Sequence, residues 1–175
     1  DIKRVRVGVK HNALRTHAEV APRETMAAQY SMPFTAAVAL SGDPKNLHSF
    51  VGAALEDPVV CGLARRVELY VDTRIDAAGY PRNAGAHVEV FLNNGNTLET
   101  TLLDAHGMAA DPCTEDEIRQ KFRSLAAVSI SADGIARVLS LVDRVDSLSS
   151  VAALSQALRC VIDRPAQTAL AAATL

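Results

Sequence analysis

The sequence predicts an α+β fold: a small antiparallel sheet with helices, followed by an all-helical C-terminal tail. Three observations carry this. Apolar residues alternate with polar ones in several separate runs. An Asn-Gly pair stands between two of those runs. Past Asp111-Pro112 the apolar spacing changes from that of a strand to that of a helix. The change divides the chain into residues 1–110, which hold the sheet, and residues 111–175, which are helical.

Val5, Val7 and Val9 alternate with Arg4, Arg6 and Gly8, the pattern of a half-buried strand. Residues 10–25 show no period and read as loop. Ser31 is a natural helix cap with Pro33 in the first turn behind it, and Ser41-Gly42-Asp43-Pro44 ends that helix. Short helices are expected near residues 45–51 and 58–65. Val67, Leu69 and Val71 mark a second strand, and residues 73–85, with their Gly, Pro and Asn, read as a loop. Val88, Val90 and Leu92, then Asn93-Asn94-Gly95-Asn96, then Leu98, Thr100 and Leu102 form a hairpin pattern, because Asn-Gly tolerates positive φ. Thr114 and Glu117 are placed as a capping box ahead of Ile118, Phe122 and Leu125. Ile135, Val138, Leu139, Val142 and Val145 mark a second tail helix, and Val151, Leu154, Leu158 and Val161 a third; residues 166–175 fray or dock on a partner.

Composition narrows the function classes. The chain has 175 residues, is 49% hydrophobic and 22% charged, and carries a net charge of −2. That leaves no bulk basicity to draw nucleic acid or an anionic membrane. Aromatics make up only 4%, so the core is expected to be small aliphatics. Cys61, Cys113 and Cys160 are odd in number and lack Cys-x-x-Cys spacing, which argues against a disulfide framework and for a reducing cytoplasm. No apolar run is long enough to span a bilayer. The chain opens at Asp1, directly in a strand pattern, and so reads as a piece of something longer.

The P-loop, the dinucleotide fingerprint, the serine-hydrolase elbow and the zincin motif are all absent from the sequence. His11 and His17 lie six apart with no third ligand at metal spacing, so no metal site is expected. His48 and His87 read as exposed. His106 follows the last strand, where functional groups gather, and is the one candidate for a catalytic role here. Arg4, Arg6, Lys10 and Arg15 read as the solvent face of a strand or as an anion-binding rim; nucleic-acid binding is a third reading, disfavoured because no aromatics interleave with these charges.

The junction at residues 27–40 is the densest in binding chemistry. As a plain cap, Ser31 serves only the helix. A capped helix start can also offer amides to a carboxylate, with Gln29 and Tyr30 supplying further hydrogen bonds.

Three stretches together resemble the C-terminal part of the MmgE/PrpD family. Ala28-Gln-Tyr-Ser-Met-Pro-Phe-Thr-Ala-Ala-Val-Ala-Leu40 resembles the family's Phe/Tyr-Ser-x-Pro-Tyr lead into an Ala/Val-rich helix. The hairpin at 88–103, with His106-Gly107 and Asp111-Pro112 after it, is the second, and Thr114-Glu-Asp-Glu-Ile-Arg-Gln-Lys-Phe-Arg-Ser-Leu125 the third. The family includes 2-methylcitrate dehydratase, cis-aconitate decarboxylase and iminodisuccinate epimerase. The resemblance implies a lid-like α+β domain at 1–110 and tail helices at 111–175 that pack on a helical domain preceding Asp1. It implies a cofactor-free lyase or isomerase, typically a homodimer, acting on small polycarboxylates. Gln29, Ser31 and Phe34 would line the substrate site, with the main catalytic groups upstream of Asp1. At Phe34 the chain departs from the pattern, since the family often has Tyr there. The other reading is a non-catalytic α+β interaction or oligomerisation module.

Overall fold

A computed structural model describes residues 1–78 and 85–159. Residues Asp1–Pro112 form one compact unit and Cys113–Leu175 another. The first holds strands β1 (Ile2–Val9), β2 (Val67–Val71), β3 (Ala86–Leu92) and β4 (Thr97–Leu102), in the sheet order β2-β1-β3-β4. Between β1 and β2 run helices α1 (His11–Thr16), α2 (Thr25–Tyr30), α3 (Met32–Ser41) and α4 (Pro58–Ala64), with 3-10 turns at Leu47–Phe50 and Gly52–Glu56. Helix α5 (Thr73–Ala77) follows β2.

The fold class is α+β, but the expected antiparallel sheet is mixed: β1 runs parallel to β2 and antiparallel to β3. Alternation gives a strand's faces and not its direction. The helical connection from Val9 to Val67 easily exceeds the dozen or so residues that a parallel crossover needs. Two expected loops are in part helical. Helix α1, inside 10–25, is too short to show a period. Helix α5, inside 73–85, is started by Asp72, whose carboxylate accepts the Arg74 and Ile75 amides at 2.9 and 3.4 Å. Of the residues that suggested loop there, Gly79, Pro81 and Asn83 fall within 79–84, outside the described residues, and Gly85 just after them.

The hairpin forms with Gly95 at φ +88°, while Asn94 keeps negative φ. Leu92 N–H donates to the Asn96 carbonyl at 2.9 Å, and the Asn94 side chain accepts from Asn96 N–H at 3.0 Å. Only one residue of the turn therefore needs the left-handed region.

Strand alternation sorts the sheet into two faces. Val5, Val7, Val9 and Val67 are buried, with Ala13 and Leu14 of α1 and Met32 and Ala36 of α3 packed on them. Ile2 also packs on this core, although strict alternation from Val5 would turn it away. A register shift against β3 resolves this: Ile2 faces Leu92 and Arg4 faces Phe91, so β1 carries one extra residue, Lys3. Such a bulge re-aims side chains. A second cluster joins Ala28, Phe34, Val38 and Phe50.

The second unit holds α6 (Glu115–Ala126), α7 (Ala132–Val142) and α8 (Ala152–Leu158), with a 3-10 turn at Val145–Ser147. The capping box forms as expected: Thr114 Oγ1 accepts from Glu117 N–H at 3.3 Å and Glu117 accepts from Thr114 N–H at 2.9 Å. Val138, Leu141 and Ala157 make the core, with Phe122 and Leu154 against it. Arg119 of α6 bonds both Glu115 and Asp143, tying α6 to the end of α7. That guanidinium holds the Asp143 carboxyl below its ordinary range. Val161 and residues 166–175 lie outside the described residues. Among those described, no helix is long and apolar enough to cross a membrane.

Candidate functional site

Ser31 is both the last cap of α2 and the first of α3, so two helices meet at one residue. It is 1% exposed, and its hydroxyl is fully employed. It accepts from Phe34 N–H at 3.0 Å and donates to the Glu19 carbonyl. The amides around it are employed too: Ser31 N–H on Ala28, Met32 N–H on the His17 carbonyl at 2.9 Å, and Thr35 N–H on the Ser31 carbonyl at 2.9 Å. Pro33 has none to give. The expectation that this junction offers free amides to a carboxylate is therefore corrected: turning the chain so sharply consumes them.

The three predicted substrate-site residues separate by exposure. Phe34 is fully buried, its ring 6.2 Å from that of Phe50. The absence of a hydroxyl suits that place. Gln29 and Tyr30 are exposed on the last turn of α2. The Tyr30 ring lies 5.7 Å from His17, whose Nδ1 is buried without a hydrogen-bond partner among the described residues. The structure thus brings Ser31 and Phe34 together as support and leaves Gln29 on the surface beside them.

His106 stands elsewhere in the first unit, in the turn after β4. Its Nδ1 is 2.9 Å from Asp111 Oδ2, and both side chains are substantially exposed. Gly107 at φ +96° closes the turn, with its N–H on the Asp111 carbonyl at 2.7 Å. A carboxylate that orients an imidazole is an arrangement suited to proton transfer.

Sequence reasoning missed the polar face of the sheet. Register places Glu68, Arg6, Glu89 and Glu99 in one row and Tyr70, Gly8, His87 and Thr101 in the next. Arg6 reaches Glu89 at 3.0 Å and Glu68 at 3.9 Å and stacks over Tyr70 at 4.3 Å. Asp72, 6% exposed, is gripped by both nitrogens of an Arg74 fork at 3.2 and 2.8 Å. Those bonds hold its carboxyl far below the usual range, against the opposing effect of burial. Burial first, and then the charges of Glu89 and Asp72, push the Tyr70 hydroxyl up. His87, expected to be exposed, is buried with Nδ1 2.7 Å from Thr101 Oγ1. A helix-cap reading of Asp72-Thr-Arg74 was the available signal for this cluster.

Of the four basic residues taken together in the sequence, Arg6 is committed to carboxylates and the Lys10 ammonium to the Ala78 carbonyl, while Arg15 lies in α1. Arg4 borders a cavity.

Comparison with known proteins adds to this geometry. The chain is similar to a cis-aconitate decarboxylase of Aspergillus terreus, 27% identical over 149 residues, which is 84% of this chain and 30% of that protein. It is also similar to the cis-aconitate decarboxylase-like protein oryM of Aspergillus oryzae, 29% identical over 108 residues, 62% of this chain and 22% of that one. The chain thus spans less than a third of the length of the curated relatives it matches. Residues 1–146 match the MmgE/PrpD C-terminal domain, and on that match the chain belongs to the MmgE/PrpD family.

Proposed function

We propose that this chain is the C-terminal part of a lyase or isomerase acting on small polycarboxylates. The observation that carries the reading is the family match over 1–146, with cis-aconitate decarboxylases among the relatives. The reaction class is proton abstraction next to a carboxylate, followed by loss of the leaving hydroxyl as water, by loss of CO2 with a proton returned to the carbon left behind, or by return of the proton to the opposite face, which is epimerisation. A base takes the proton, and positive charges and hydrogen-bond donors hold the carboxylates and the developing enolate.

In this reading Gln29 donates its carboxamide hydrogens to a substrate carboxylate. Ser31 fixes the turn that presents Gln29, and Phe34 backs it from the core. His106, oriented by Asp111, is a supplementary proton carrier. The principal base and the cationic carboxylate clamps come from the part of the relatives that this chain does not span. The tail helices leave Ile118, Leu125 and Val151 exposed at 60%, 44% and 65%, which supports their packing on a helical domain or on a second copy.

The test is an NMR assay in D2O of the protein carrying its helical domain, with cis-aconitate and 2-methylcitrate. Deuterium uptake next to a carboxylate, CO2 release and loss of water separate the three outcomes. Exchange or turnover with at least one acid is expected, and Gln29→Ala raises KM about tenfold with a smaller change in kcat. Silence of that protein toward every polycarboxylate overturns the reading. Robust turnover by residues 1–175 alone overturns the placement of the base elsewhere.

A further inference from the structure

A second feature of the first unit lies at the start of the parallel pair. A cavity of about 620 Å³ opens there, lined by Lys3, Arg4, Arg65, Arg66, Glu68 and Phe91, with Val67 beneath. Its size is that of a small-molecule site. Four cations face one carboxylate, leaving a surplus of three positive charges in a protein whose net charge is −2.

The cavity is built by specific devices. On a regular strand Lys3 and Arg4 would point to opposite faces. The bulge that places two residues of β1 against Phe91 lets both border the same hollow, while Ile2 returns to the core. From the neighbouring strand, Arg65 and Arg66 arrive at the α4–β2 junction, some sixty positions away in sequence. The two pieces are stitched together: Val5 N–H donates to the Arg66 carbonyl at 2.9 Å, and the Arg66 guanidinium donates to the Ile2 carbonyl at 2.7 Å. Arg4 is held over the Phe91 ring at 4.5 Å and 3.7 Å from Glu68. Among the described residues Lys3 and Arg65 have no carboxylate partner, so two fixed arginines stand beside two uncommitted cations.

We infer that this cavity binds a small, multiply charged oxyanion, held by the guanidinium forks of Arg4 and Arg66 and by the charges of Lys3 and Arg65. Guanidinium groups match carboxylate and phosphate oxygens in pairs, and a ligand with several negative charges answers the surplus. The shared chemistry is that of polycarboxylates and of phosphates. The inference does not depend on which reaction the protein catalyses.

Isothermal titration calorimetry on the intact protein tests it, with citrate as one probe and inorganic pyrophosphate as the other, at low and at physiological salt. Saturable binding of at least one probe is expected, weakening as salt rises. The probe that binds more tightly identifies the source. The double substitution Lys3→Glu with Arg65→Glu changes two exposed side chains with no carboxylate partner among the described residues and should weaken binding by at least about tenfold, or about 1.4 kcal/mol, with an unchanged melting temperature. Glu68→Gln removes the opposing carboxylate and should tighten binding by about threefold or more, a gain that misfolding cannot imitate. No saturable binding of either probe overturns the inference. So does binding that both variants leave unchanged, since such binding belongs to another site.

Discussion

The two faces of the four-stranded sheet are held by different chemistry over the same backbone. On one, Val5, Val7, Val9 and Val67 are sealed beneath α1 and α3, with no polar side chain among them. On the other, Arg6, Glu68, Glu89, Tyr70, Asp72 and His87 fill the equivalent positions with ion pairs, a guanidinium fork and a stacked ring. The apolar face gains from removal of water, a non-directional effect that scales with area. The polar face gains only where geometry is satisfied. The first face should therefore be unforgiving of charge, and the second sensitive to shape and pH.

The largest expected effect breaks the apolar side. Val5→Asp buries a carboxylate with no partner at a position 0% exposed and should cost about 3–5 kcal/mol in urea unfolding. A loss below about 1 kcal/mol there would mean that this face is not sealed.

Next comes Gly8→Ala, which sharpens the contrast on the polar side. A Cβ at residue 8 would lie 2.8 Å from the Tyr70 ring and 2.8 Å from Asp72 Cβ. Gly8 is there because Tyr70 crosses over β1. The substitution should cost about 1–3 kcal/mol, and much of the loss should be recovered when Tyr70→Ala is added.

Asp72→Asn should cost about 1 kcal/mol at neutral pH, because the amide keeps the helix cap and loses the charged fork. The sign follows from the lowered carboxyl. Its contribution is complete above the unfolded value of about 4 and disappears as the pH falls through the folded one. Thermal melts of wild type and variant should therefore converge on acidification below about pH 4. A gap that stays constant to pH 2 would assign the loss to packing.

The smallest effect is expected from Arg6→Gln. Its side chain is 31% exposed and its guanidinium shared between two carboxylates, so the loss should be about 0.5–1 kcal/mol and shrink at high salt. A cost equal to that of Val5→Asp would erase the distinction between the faces.

These contrasts explain what was legible in the sequence. Each strand was readable because alternation is local, and the Thr114 capping box and the Gly95 turn were readable because their chemistry spans a few residues. The parallel pairing of β1 with β2 was not, since Val5 meets Val67 only after a long helical connection. The burial of His87 was hidden for the same reason, because its partner Thr101 stands on another strand; Asp72 differs, since Arg74 and Ile75, which satisfy it, are two and three residues away. At the candidate site, local pattern and the family resemblance pointed to Gln29, Ser31 and Phe34. That pattern did not show that Ser31 and the amides near it were already spent on the Glu19 and His17 carbonyls. The basic cavity was half visible, as Arg4, while Arg65 and Arg66 drew no notice until pairing brought them beside it.

The extra residue in β1 has one more consequence. The strand is in two phases, Ile2 before the bulge and Val5, Val7 and Val9 after it, and both must face the same apolar core at once. Sliding the strand by one position would push Arg4, Arg6 and Gly8 toward Met32 and Ala36 and turn three valines to water. Sliding by two would restore the faces beyond the bulge but move the phase break off Phe91. Lys3 thus acts as a detent. It leaves β1 a single resting position between its two neighbours, and in the same stroke fixes where the cations around the cavity stand.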